Sequence, residues 1–208
     1  MARNMSPTWK TPYYRFGDGY TPLKCADFDV PPRNADGNKS LRPIWESVGK
    51  ALSHWAFVEG EMYNMFVILI QSKTNSARRA LGSLLSVQSQ LDVIKGAAEQ
   101  CFQSRSNKNL IAINKKFDVV RAAVPRRNEF AHGQAANFTG RGHFLVPYMF
   151  SARKTVMGKL PPDSMKYCYT SNEIRSFSDK FIILYKEMFN LNADVRAAIH
   201  KTYPQTRP

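Results

Sequence analysis

The densest cluster of groups able to do chemistry is Arg126-Arg127-Asn128-Glu129-Phe130-Ala131-His132-Gly133, where cations, an amide, a carboxylate and an imidazole fall within about two helical turns. At about 100° per residue, Asn128 and His132 lie about 40° apart on one helix face, and Glu129 about 60° from His132. Arg127 is about 140° away, so only its long side chain brings it round. An imidazole both takes and gives a proton near neutral pH, as phosphodiester cleavage requires at its two oxygens. His132 is therefore the candidate proton handler. A guanidinium offers phosphate a rigid fork of donors, so Arg127 is the candidate to hold the scissile group and offset charge growing in the transition state. Asn128 would orient one of the two, with Arg126 and Glu129 as supporting groups. Glu59, set between Trp55 and Met62 on an apolar stripe, is a further supporting candidate. Carboxylates on such a stripe are paired, either here with Arg127 or His132 or structurally with another cation.

Other catalytic signatures are missing from the sequence: there is no Walker A loop, G-x-G-x-x-G, H-E-x-x-H or G-x-S-x-G. No metal-ligand spacing is visible either, so the most economical chemistry is attack by an RNA 2′-hydroxyl on its own phosphate. That route is closed to DNA and calls for no cofactor. Cys25, Cys101 and Cys168 are odd in number and widely spaced, which reads as reduced thiols.

The elements that must carry these residues follow from hydrophobic period. Residues 1 to 40 are rich in proline and aromatics without a regular period and read as an irregular arm. Apolar residues at steps of three and four predict helix one from Pro43 to about Gln71, with Ser40 as its cap. The same period predicts a second helix from Ala77 to Phe102 and a third from Leu110 that ends at Gly133. Two short strands, His143–Phe150 and Met165–Thr170, predict a β-hairpin insert over about 141–170. Thr170-Ser171-Asn172-Glu173 has capping-box spacing and opens the last helix. The fold class is thus all-α, an antiparallel four-helix bundle over 41–208 with a hairpin insert and an N-terminal arm. Pro125 has no N–H for the carbonyl of Arg121, so the third helix is expected to kink or restart there. A restart would leave the N–H groups of Arg126 to Asn128 as donors for a phosphate.

The 30 Lys and Arg against 16 Asp and Glu give a net charge of +14, which favours a polyanionic partner. Lys115, Lys116, Arg141, Arg153 and Lys154 flank the motif or fall in the insert, and are read as an RNA track. The longest apolar run, Phe66–Ile70, is far short of the roughly 20 residues a membrane span needs. With no apolar leader before the first prolines, a cytoplasmic protein without membrane contact is expected.

Arg127-Asn128-Glu129-Phe130-Ala131-His132 matches R-N-x-x-x-H, and here the sequence resembles the HEPN superfamily. The resemblance covers roughly residues 42 to 200, with the arm and the insert as departures. It implies a metal-independent endoribonuclease whose two motifs face each other across a homodimer, often within a defence or toxin system. Some members bind without cutting, so the competing expectation is a non-catalytic RNA-binding or regulatory module. A third is a scaffold that pairs with an antitoxin-like protein.

Overall fold

The computed structural model describes residues 36–72, 75–102, 107–138, 142–146 and 169–202. These form α1 (Arg42–Leu69), α2 (Ser76–Gly82), α3 (Val87–Phe102), α4 (Asn107–His132), β1 (Gln134–Phe138), β2 (Gly142–Val146) and α5 (Ser171–Thr202). The chain is mostly helical, with one small two-stranded sheet among the described residues. No described helix is long and apolar enough to cross a membrane.

Contacts divide the chain into two compact units, residues 1–52 with 125–179, and residues 53–124 with 180–208. The first unit gathers Ile44, Val48 and Ala51 of α1, Phe130 of α4, Phe144 and Leu145 of β2, and Ile174 and Phe177 of α5, all buried. Tyr169 sits edge-on to Phe130 at 5.3 Å and to Phe177 at 6.2 Å between centroids, the geometry that aromatic quadrupoles favour. The second unit is helical. Trp55 meets Phe181 edge-on at 5.3 Å, with Val58, Met62, Leu91, Ile94, Phe117 and Met188 buried in the same unit. Polar contacts link its helices: Arg121 Nε donates to Gln88 Oε1 at 2.9 Å, Lys116 pairs with Glu187 at 2.7 Å, and Arg78 donates to Asn64 at 2.6 Å.

α1 is helical with the expected period but on a shifted track: Ile44, Val48, Ala51, Trp55, Val58, Met62, Met65 and Leu69 are buried at alternating steps of four and three, whereas Trp45 and Ile70, expected on the apolar stripe, are exposed. Its first acceptor is the carbonyl of Leu41, bonded by Ile44 N and Trp45 N, so Leu41 rather than Ser40 stands at the cap. The expected second helix is two helices. Ser83 Oγ bonds the Ala80 carbonyl, and Ser86 Oγ accepts from Ser89 N at 3.0 Å, as an N-cap does. Short hydroxyl side chains thus end one helix and start the next, leaving Leu85, expected on the apolar stripe, fully exposed.

α4 runs through Pro125 without restarting. The amides of Arg126 to Asn128 therefore lie inside a helix rather than at its start, and the expected backbone phosphate site is withdrawn. Proline removes a single donor here, and the rest of the turn holds the helix together. The sheet also differs from expectation. β1 begins at Gln134, directly after α4, and pairs antiparallel with β2 in the register Gln134↔Val146 to Phe138↔Gly142. The expected partner of the 143–150 strand survives as one bridge, Leu145 with Tyr169, bonded both ways at 2.8 Å. Gly133 makes the tight exit from α4 possible, since a Cβ there would stand 2.7 Å from the Glu129 carbonyl and 2.8 Å from Leu145.

The last helix starts as predicted. Thr170 N donates to Glu173 Oε2 at 2.6 Å, and Glu173 N reaches back to Thr170 Oγ1 at 3.4 Å. Asn38, within the expected arm, exchanges backbone bonds with His143 at 2.8 Å each way. Its side chain accepts from Ser171 N at 2.8 Å and donates to Ser171 Oγ at 2.6 Å. The rest of the expected arm, most of the insert, Cys25 and Cys168 lie outside the described residues, whereas Cys101 is half-buried at the end of α3.

Candidate active site

The site is built on the last two turns of α4, where the buried side of the helix decides which residues face out. Ile113, Phe117, Val120, Ala123, Arg126 and Phe130 form one buried stripe at steps of three and four. Arg126 thus falls on the inner side and Arg127, one residue on, falls beside it. Arg126 is 6% exposed and its Nη1 donates to Glu129 Oε2 at 2.7 Å and to Tyr169 Oη at 2.5 Å. Tyr169 in turn donates its hydroxyl to Glu129, closing a three-membered network of a cation, an anion and a phenol. Glu129 is 7% exposed and Tyr169 1%, so water does not compete for these bonds.

Arg126 and Glu129, expected as supporting groups, are therefore partners of each other. They lock the end of α4 to the chain at Tyr169. Arg127 is half-buried and donates through Nη1 to Asn128 Oδ1 at 3.1 Å. Asn128 and His132 are both exposed, one helical turn apart. Arg127, Asn128 and His132 thus stand on two turns of one helix.

No family model, curated protein or solved structure matches the chain.

Of the remaining candidates, Glu59 belongs to the second unit, where it accepts from Trp55 Nε1 at 2.6 Å. An indole partner one turn back is a role the sequence reading did not foresee. Lys115 is exposed on α4, as an RNA contact needs to be. Lys116 is committed to Glu187 at 2.7 Å, which lowers its value as a phosphate contact. Arg141, Arg153 and Lys154 lie outside the described residues.

The sequence reading missed two polar residues that the second unit buries. Glu61 is 7% exposed on α1 and Asn192 is 5% exposed on α5. Asn192 Nδ2 bonds the Glu61 carboxylate at 2.6 Å and its backbone carbonyl at 3.0 Å. The signal was present in the spacing: 58, 61 and 65 step by three and four, so position 61 continues the apolar stripe that was assigned to Glu59.

Proposed function

We propose that the chain is a HEPN-like, metal-independent endoribonuclease acting on single-stranded or loop RNA. His132 moves the proton, Arg127 grips the scissile phosphate and Asn128 positions the guanidinium. The observation that carries the reading is the pairing of Arg127 with Asn128 at 3.1 Å, with an exposed His132 on the same end of α4. The buried Arg126–Glu129–Tyr169 network beneath them supplies the rigidity that positioning demands.

The 2′-oxygen loses its proton to a base and bonds to phosphorus. The bond from phosphorus to the 5′-oxygen breaks, and that oxygen takes a proton from an acid. The products are a 2′,3′-cyclic phosphate and a 5′-hydroxyl, so no water and no redox partner is consumed. One imidazole performs one of these transfers at a time, which is the chemical sense of a homodimer in which two copies of His132 act as base and acid. Arg127 answers charge that develops on the non-bridging oxygens. The finer fold in this proposal is a four-helix bundle in which α2 and α3 together take the place of one interrupted helix. Cytoplasmic location, a defence or toxin role and an antitoxin-like protein partner belong to the same proposal.

The net charge of +14 equally serves a module that holds RNA without cutting it, and that is the second reading. One assay separates the two. A structured RNA is incubated with the protein in excess EDTA, and wild type is compared with His132→Ala. Cleavage to cyclic-phosphate ends by wild type alone is the expected result. Retained RNA binding with no cleavage by either protein would replace the enzyme with the binding module.

A further inference from the structure

We propose that the groove between α1 and α5 in the second unit is a recognition subsite for an unpaired guanine in single-stranded RNA. The proposal rests on RNA as the partner and deepens that reading by naming the base. The groove measures about 390 Å³, within the range of small-ligand sites, and brings together Glu61, Asn64, Phe189, Asn192, Arg196 and His200.

Its buried polar groups, Glu61 and Asn192, hold acceptors in excess of donors. Both bonds of Asn192 Nδ2 go to Glu61, which fixes the orientation of the amide. Asn192 Oδ1 is consequently turned away from Glu61, fully buried and without a hydrogen-bond partner. A buried carbonyl in that condition is costly, and because it is sealed from solvent the acceptor a ligand in the groove would meet is the neighbouring Glu61 carboxylate. The Glu61 carboxylate accepts from two neutral amides, Asn64 Nδ2 at 3.2 Å and Asn192 Nδ2 at 2.6 Å. A carboxylate accepts about four bonds, so roughly two positions stay open.

Such a floor selects a ligand edge made of donors. Guanine offers N1–H and both hydrogens of its N2 amine side by side. Adenine and cytosine set a ring acceptor next to their amine, and uracil flanks one N–H with two carbonyls, so each would face the carboxylate with lone pairs. The walls fit a flat ring. Phe189 is exposed at the groove and continues a run of rings, 6.4 Å from Tyr185, which is 5.4 Å from Phe57. Phe57 and Phe189 are exposed and Tyr185 between them is half-buried, and rings in such a series are what successive unstacked bases pack on. Arg196 and His200, one turn apart on α5 and both exposed, offer donors to the phosphate of the same nucleotide. Arg196 and the net charge of +14 also speak against an ammonium or guanidinium ligand for the same acceptors.

The test is fluorescence anisotropy with the full chain and short 2′-O-methyl oligoadenylates, which resist cleavage by 2′-hydroxyl attack. One oligonucleotide carries a central guanine, and others carry inosine, cytosine, uracil or adenine there. Guanine is expected to bind about tenfold tighter than adenine, with inosine between them because it lacks the amine. Glu61→Gln should abolish the preference, and Phe189→Ala should weaken every oligonucleotide about tenfold. Should Glu61→Gln not fold, Arg196→Glu and Phe189→Ala at exposed positions still report, and both must weaken binding. Equal affinity for all five bases overturns the proposal, as does a guanine preference that survives both Glu61→Gln and Phe189→Ala. A dimer that Phe189→Ala converts to monomer, with no base preference, would assign this face to a second copy instead. His132→Ala should keep the guanine preference, so absence of cleavage defeats the nuclease reading and leaves the subsite standing.

Discussion

Replacing Arg126 by methionine tests the idea that the end of α4 is held by a buried ionic network rather than by helix propensity. Arg126 and Glu129 are 6% and 7% exposed and share a 2.7 Å bond, while Tyr169 at 1% exposure holds both. Removing one partner of a buried pair leaves the other charge uncompensated, so Arg126→Met should cost about 3–5 kcal/mol. Tyr169→Phe keeps the pair but takes a hydroxyl from both charged groups, and should cost about 1.5–3 kcal/mol. Converting all three positions to apolar residues, as Arg126→Met with Glu129→Leu and Tyr169→Phe, should recover most of the loss, since a packed apolar set of similar volume is a fair substitute for a buried pair. Urea unfolding followed by circular dichroism measures this. With a slope of about 2 kcal/mol per molar urea, Arg126→Met should move the midpoint down by about 2 M. The reasoning is refuted if Arg126→Met shifts it by less than about 0.5 M, or if the triple variant is as unstable as the sum of the single ones.

Gly133→Ala should lower the melting temperature, because the new Cβ meets the Glu129 carbonyl at 2.7 Å and Leu145 at 2.8 Å. Overpacking of this kind costs about 1–3 kcal/mol, and calorimetry against Gly96→Ala, where a Cβ meets nothing, is the control. Arg127→Lys should keep the fold but cut RNA cleavage by at least about tenfold, since an ammonium lacks the planar fork; unchanged turnover would remove Arg127 from the mechanism. Lys115→Ala should weaken RNA binding and flatten its salt dependence, whereas Lys116→Ala should change stability by less than about 1 kcal/mol and affinity little. Equal losses of affinity would show that the Glu187 pair leaves Lys116 available to phosphate.

The parts of the fold written in short local patterns were legible from sequence. The helical period of α1 and the Thr170–Glu173 box are set by contacts within one helix turn, and both are present, although the buried track of α1 runs through Ala51, Val58 and Met65 rather than through Trp45 and Ile70. The break between α2 and α3 was not legible, because Leu84 and Leu85 continue the apolar period while Ser83 and Ser86 bond the backbone against it. On α4 the apolar Val120 and Val124 point the stripe at Arg127, whereas the structure takes the neighbouring track through Ala123 and Arg126. A difference of one residue decides which arginine is buried. Only Tyr169, 43 positions from Arg126, reveals it. Glu129 likewise carries no local sign of its phenol, and Glu61 was passed over for Glu59 because both lie near the helix face that Trp55 and Met62 define.

Asn38 joins elements that lie far apart in the sequence. Five bonds at one residue tie the strand at His143 and the first amide of α5 to a stretch that precedes α1. A fragment cut at residue 41, where the helical pattern begins, would lose this stitch and leave Ser171 N and the His143 backbone pair to water. Truncation should therefore start upstream of Gly37, whose missing side chain admits Phe144. Among the described residues, a short strap of backbone ahead of the first helix is therefore as much a part of the packing as the helices it joins.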